Sequence, residues 1–221
     1  HIVIESDGKS ETVSALKKVA LKDSKDKILA AIKEAGIVGM GGAGFPLYVK
    51  YDNNAEIDTL LVNAVECEPF LTTDYVTTKH EANNLVKGIE LLMKVKDIKH
   101  AIVCIKVHKE AARDAVLEAI KGKENISLKE VQDIYPMGWE STLIKHVLNR
   151  TYVKLPSEAK VIVNNVQSII SIGKCLTEGT AILDRVVTVS GDAVTNPCNV
   201  KAPLGTPAKV LIDACGGYSY D

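Results

Sequence analysis

Thr59-Leu60-Leu61-Val62-Asn63-Ala64 is a largely apolar run of strand length, and Val65-Glu66-Cys67-Glu68-Pro69 follows it as an acidic loop. A run that does not alternate polar with apolar reads as a strand covered on both faces, the habit of parallel sheets. Ala101 to Val107 and Ser127 to Ile134 are further strands, and Val161 to Val163 is a shorter one leading into Asn164-Asn165. Helical spacing fills the gaps. Leu85, Ile89, Leu92 and Met93 mark a helix over roughly 80–95; Ala112, Ala115, Val116, Ala119 and Ile120 mark a second. Leu143, Ile144, Val147 and Leu148 mark a third, and Val166, Ile169, Ile170, Gly173 and Leu176 a fourth. Upstream, Ser24 caps a helix that runs to Glu34 and stops at Gly36. Strands alternating with helices predict a three-layer α/β sandwich of Rossmann-like type.

The texture changes near Leu183. Arg185 to Gly191 and Asn199 to Ala202 read as strands around an Asn196-Pro197 turn. Thr206-Pro207 then reads as a cap and first position of a helix that Gly216-Gly217 ends. Strand, turn, strand, helix is the opening of a β-grasp module. The expected organisation is residues 1–23 as an N-terminal strand (2–4) and linker, 24–182 as the α/β domain, and 183–221 as the start of the second module. A length of 221 residues suits one domain and a small addition, at roughly 150 residues per domain.

Composition excludes several classes of function. Lys+Arg 27 against Asp+Glu 28 leaves a net charge of -1, so there is no bulk electrostatic grip on nucleic acid. Aromatic residues make up 5% of the chain, too few for base-stacking platforms. No apolar run is long enough to insert in a membrane. The opening His1-Ile2-Val3-Ile4-Glu5 has neither the basic start nor the long apolar core of a signal peptide, and His1 in place of Met is expected of an excised piece or a tag remnant. The five cysteines form no C-x-x-C, so no local zinc or iron-sulfur cassette is encoded and no metal site is expected. The histidines after His1 form no ligand pattern either. Reduced thiols in a cytoplasmic setting are expected.

Three stretches carry candidate chemistry. Gly41-Gly42-Ala43-Gly44 strips Cβ atoms from a loop, so its N–H groups can approach a phosphate or a flat ring, or else simply make a tight surface turn. It is neither a Walker motif nor a G-x-G-x-x-G in a Rossmann setting. Glu66 and Glu68 stand at the carboxyl end of a central strand, where open α/β sheets bind ligands, although isolated acids are more often merely solvated. Asn164-Asn165 again lies between a strand and a helix, where a plain helix cap is the simpler role. Cys67, between two carboxylates, is a poor thiolate and is not read as a nucleophile.

Taken together the motifs resemble a known family. Gly36-Ile37-Val38-Gly39-Met40-Gly41-Gly42-Ala43-Gly44-Phe45-Pro46, Val49-Lys50 and Leu60 to Pro69 are similar to the C subunit of Rnf ferredoxin:NAD oxidoreductases. The likeness continues at Tyr135-Pro136-Met137-Gly138-Trp139-Glu140, Asn164-Asn165-Val166-Gln167-Ser168 and Arg185 to Ala193. It extends to the D-proline reductase-associated and cobalamin-reductase relatives and, more distantly, to the flavoprotein subunit of complex I. The resemblance implies a complex I flavoprotein-like α/β domain followed by an SLBB-like β-grasp module. It implies FMN held by Gly41, Gly42, Ala43, Gly44, Lys50, Asn63, Tyr135, Gly138, Glu140, Asn164 and Asn165. It also implies NAD(H) over the flavin, with Phe45 against the adenine and Glu66 and Glu68 as the acids at the reacting edge. Iron-sulfur clusters would lie outside this stretch. Partners would be NADH and other subunits of an electron-transfer complex or reductase, with the chain cytoplasmic or held to a membrane through those subunits. A second reading, a ligand-binding or scaffold module without flavin, rests on Val65, where complex I has an acid, and on Trp139, where relatives have an acid or a small residue.

Overall fold

The computed structural model describes Glu5, Gly8, Lys9 and residues 16–220. The expected strand at residues 2–4 and much of the linker lie outside them. The chain order is α1 (Lys25–Glu34), α2 (Leu47–Tyr51), β1 (Thr59–Ala64), α3 (Thr73–Lys96), β2 (His100–Lys106), α4 (Glu110–Ala119) and β3 (Ile126–Val131). Then come α5 (Glu140–Leu148), a 3-10 turn (Pro156–Ala159), β4 (Val161–Asn165), α6 (Val166–Glu178), β5 (Asp184–Val189), β6 (Cys198–Pro203) and α7 (Ala208–Ala214).

The four strands of the main sheet are parallel, in the order β3-β2-β1-β4. The unbroken apolar run became the central strand β1, with Leu60, Leu61 and Val62 fully buried. Its side chains serve two cores. Leu60 and Val62 pack with Ile28 and Ile32 of α1, Leu85 and Ile89 of α3, Val116 of α4 and Ile169 of α6. Leu61 packs with Leu143 and Ile144 of α5 on the opposite face. Three layers result, each buried aliphatic side chain contributing about 1.5–3 kcal/mol of transfer free energy.

Strand ends shift by a residue or two, as where β5 ends at Val189 rather than Gly191, and three boundaries differ for a physical reason. The strand expected to reach Ile134 ends at Val131, because Lys106, the last residue of β2, is the partner of Val131 and the ladder has nothing further to pair with. The helix expected from about residue 80 begins at Thr73. Its first half is rich in threonine, a weak helix former; it is held from outside where Glu66 Oε1 accepts from the Tyr75 N–H (2.8 Å), and within the helix Thr77 Oγ1 donates back to Thr73 O (2.7 Å). The two halves meet at a kink where Glu81 leaves helical geometry. Pro207 is the N-cap of α7 rather than its first residue, while Thr206 Oγ1 turns back to Pro203 O.

β5 and β6 form a two-stranded antiparallel sheet with α7 following. This small unit touches the main domain through polar contacts. Thr72 N–H donates to Thr188 Oγ1 (3.2 Å), Asn199 Nδ2 donates to Thr72 Oγ1 (2.9 Å), and Arg185 Nη2 donates to Met40 O (2.9 Å).

Candidate functional site

The order β3-β2-β1-β4 reverses direction between β1 and β4. From β1 the chain steps outward to β2 and β3, then returns to the other side for β4. The loops leaving β1 and β4 therefore diverge and leave a crevice at their carboxyl ends. Asn63 to Cys67 and Asn164-Asn165 are the residues there, and the glycine loop lies beside them.

That loop is closed at its base. Val38 and Pro46 form a bridge, and Gly39 N–H donates to Phe45 O (2.8 Å). Met40 N–H donates to Ser168 Oγ on α6 (2.8 Å). Gly42 (φ +131) and Gly44 (φ +62) hold conformations that side chains disfavour. Residues 41–46 are exposed, and among the described residues the amides of Gly41, Gly42, Ala43 and Gly44 find no acceptor. The helix directly after the loop, α2, has only five residues and no side-chain cap. The longer helix beside the loop is α6: a Cβ on Gly41 would stand 3.3 Å from the Cβ of Asn165, the α6 N-cap.

A cleft of about 320 Å³ opens here. It is lined by Gly41, Gly42, Asn63, Glu66, Gly138 and Asn165 of the expected set, and by Cys67, Asp74, Gln167 and Arg185 to Thr188. Asn63 is its hinge pin: Nδ2 donates to Gly138 O (2.8 Å) and Oδ1 accepts from Val65 N–H (3.0 Å). Gly138 must be glycine, since a Cβ would lie 2.5 Å from Val65 O and 2.9 Å from Cys67 Cα. Buried Asp74 accepts from Gln167 Nε2 (2.7 Å) and Asn165 Nδ2 (2.9 Å). Burial pushes its carboxyl up to about 6, more than those amides and Arg185 draw it down. Burial, with Glu68 nearby, also raises the Cys67 thiol, in keeping with its reading as a poor nucleophile.

Other expected residues fall elsewhere. Phe45, Lys50 and Glu140 line a second cavity of about 360 Å³. Lys50 Nζ donates to Val163 O (2.9 Å) and lies 3.9 Å from Glu140. Ala43 and Gly44 are exposed on the loop and line neither cavity. Asn164 is buried with Nδ2 on the Tyr51 hydroxyl, and its Oδ1 has no partner among the described residues. Glu68 is exposed and lines neither cavity. Tyr135 is exposed and meets Trp139 edge-on at 5.7 Å; neither lines either cavity.

Asp74, Gln167 and Arg185 line the cleft, and Ser168 anchors the glycine loop at Met40, although sequence reasoning gave them no role. Asp74 escaped because its helix was expected to start later. The Gln167-Ser168 pair follows the α6 N-cap directly, and that adjacency was the available signal.

The donor set fits a phosphate-bearing ligand: exposed loop amides without an acceptor stand beside the α6 N-cap, and Arg185 lies in the wall of the cleft. The fold and site therefore define a nucleotide-cofactor α/β domain with an added β-hairpin wall. The model of the Nuo51 FMN-binding domain matches residues 32–174, and that of the SLBB domain matches residues 186–221. The chain belongs to the Nuo51 FMN-binding domain family and, as its motif order implies, is RnfC-like. It is 35% identical to the C subunit of the proton-translocating ferredoxin:NAD(+) oxidoreductase complex of Clostridium ljungdahlii, over 98% of this chain and 49% of that protein. It is 32% identical to the cobalamin reductase PduS of Salmonella typhimurium, over 94% of this chain and 46% of that one. The chain thus spans about half the length of these relatives. A crystal structure of an NAD+-reducing NiFe-hydrogenase in the H2-reduced state shares the fold, with a TM-score of 0.76 at 23% identity over 88% of this chain and 39% of the other. No helix among the described residues is long and apolar enough to cross a membrane.

Proposed function

We propose that this chain is the flavin and NADH module of an RnfC-like electron-transfer protein. It binds FMN at the cleft, oxidises NADH and passes electrons to iron-sulfur centres held elsewhere in the protein or by partner subunits. It works in the cytoplasm or docked on a membrane through those subunits. The observation that carries this reading is the exposed glycine loop, its amides unsatisfied, set against the α6 N-cap at the sheet's switch point.

Each residue has a task in that scheme. The Gly41 to Gly44 amides receive the phosphate, and Lys50 supplies positive charge nearby. Gly138 lets its loop pack against Val65 and Cys67, where Asn63 fixes it, and Asp74 with Asn165 and Gln167 braces the wall. Tyr135, Glu140 and Asn164 complete the flavin surroundings. Exposed Phe45 is free to meet the adenine, and Glu66 and Glu68 face the nicotinamide nucleotide. FMN, when bound, supplies the hydride acceptor; the protein orients and shields rather than providing an acid or base.

Titration with FMN, followed by flavin fluorescence, tests this. Saturable one-to-one quenching is expected, and anaerobic NADH then bleaches the flavin absorption. Gly42→Val weakens binding at least about tenfold, roughly 1.4 kcal/mol. A valine there both strains a backbone at φ +131 and projects into space that the fold leaves open, so loop and ligand space are blocked together. A folded chain that does not quench FMN overturns the proposal.

A further inference from the structure

Two cysteines with no part in the cleft meet in the C-terminal unit. Cys198 opens β6 and Cys215 is the C-cap of α7. Both are thiols, and their Sγ atoms stand 3.4 Å apart. The backbone holds them there: Asn196 N–H donates to Cys215 O (2.9 Å), and Thr195 N–H donates to Gly217 O (3.0 Å). The sulfurs are about 1.4 Å beyond disulfide bond length, a gap that side-chain torsions can close.

The two thiols are unequal in access. Cys198 is exposed, whereas Cys215 is 2% exposed. That asymmetry suits thiol–disulfide exchange, in which an accessible sulfur is attacked or attacks first and a sheltered neighbour completes the reaction. The other three cysteines lack the arrangement. Cys104 and Cys175 are buried, and among the described residues Cys67 has no second thiol within hydrogen-bond distance.

We propose that Cys198 and Cys215 form a dithiol/disulfide site that takes small-molecule disulfides as oxidant. Cys198 loses its proton to water and attacks one sulfur of the small disulfide. The S–S bond of that disulfide breaks, and one half leaves as a thiolate that takes up a proton. Cys215, deprotonated in turn, attacks the Cys198 sulfur, forming the Sγ–Sγ bond and expelling the second half as a thiol. Two protein thiols are oxidised, and one small disulfide is reduced to two thiols. The bond ties the start of β6 to the end of α7, in the unit whose other strand lines the cleft. This site does not depend on the flavin reading.

Glutathione disulfide is the probe. The full chain is incubated with it, acid-quenched, alkylated and mapped by non-reducing mass spectrometry. The expected result is loss of two of the five thiols, one peptide cross-linked between 198 and 215, and no lasting glutathione adduct. Cys215→Ser should trap glutathione on Cys198, and Cys198→Ser should show neither adduct nor cross-link. Circular dichroism melts verify that both variants are folded; if one is not, the wild-type map decides alone. A persistent adduct on wild-type Cys198, an unreacted pair, or a cross-link to another cysteine would overturn the proposal.

Discussion

Asp74 shows what one buried carboxyl does to the cleft. It is 6% exposed, and burial raises its folded pKa from 3.8 to about 6. The folded state therefore binds this proton more tightly than the unfolded chain. The stability it contributes is full below about pH 4 and is lost as pH rises through about 6, roughly 3 kcal/mol in all. Asp74→Asn removes that titration but sets an amide donor against Gln167 or Asn165, at a cost of about 1–3 kcal/mol. As pH rises from 4 to 7.5, urea midpoints should fall more steeply for the wild type than for the variant, with the variant weaker at the acid end. Parallel curves would count against the assignment. At this scale the residues alone were informative at Gly42, where the loop conformation demands glycine, while Gly138 and Asn63 were singled out only through the family resemblance. The sequence was silent where a role comes only from long-range meeting, as between Asp74 and Gln167 or Arg185 and Met40.

At the scale of elements, the α3–α6 contact fixes the site from below. A Cβ on Gly88 would overlap Ile169 O, and one on Gly173 would overlap Asn84 O. The two helices thus touch backbone to backbone, and their separation sets how Asn165 and Gln167 at the start of α6 face Asp74 at the start of α3. Gly88→Ala forces the helices apart at a cost of about 1–3 kcal/mol. It should lower the melting temperature and weaken FMN binding together, although Gly88 lines neither cavity. Unchanged FMN affinity in a destabilised but folded variant would separate the seam from the cleft. Apolar spacing made α4, α5 and α6 legible, because burial of one face imposes a period that sequence records. The first half of α3 was not legible, since it is held by Glu66 at the Tyr75 N–H and by the β5–β6 unit at its N-cap Thr72 rather than by propensity.

At the scale of the molecule, the cleft belongs to two sequence families at once. Arg185 to Thr188 come from the segment around the start of the SLBB match, yet line the same cavity as the glycine loop. Arg185→Met removes the hydrogen bond to Met40 O and also an Nε that is buried without a partner. The two changes oppose each other in stability, so the melting temperature should move little. Met40 leads into the glycine loop, so losing that anchor should weaken flavin binding by up to about tenfold, roughly 1.4 kcal/mol; affinity unchanged would mean that the wall is passive. Sequence alone separated the two textures near Leu183 but not their junction, because no local pattern records which side chains cross it. The closed base of the glycine loop has a last consequence. With Val38 bridged to Pro46 and Gly39 bonded to Phe45, the base of the loop has already lost much of its conformational entropy during folding. A ligand meets a receptor that is ordered in advance, so calorimetry of its binding should show little entropic penalty from ordering the chain.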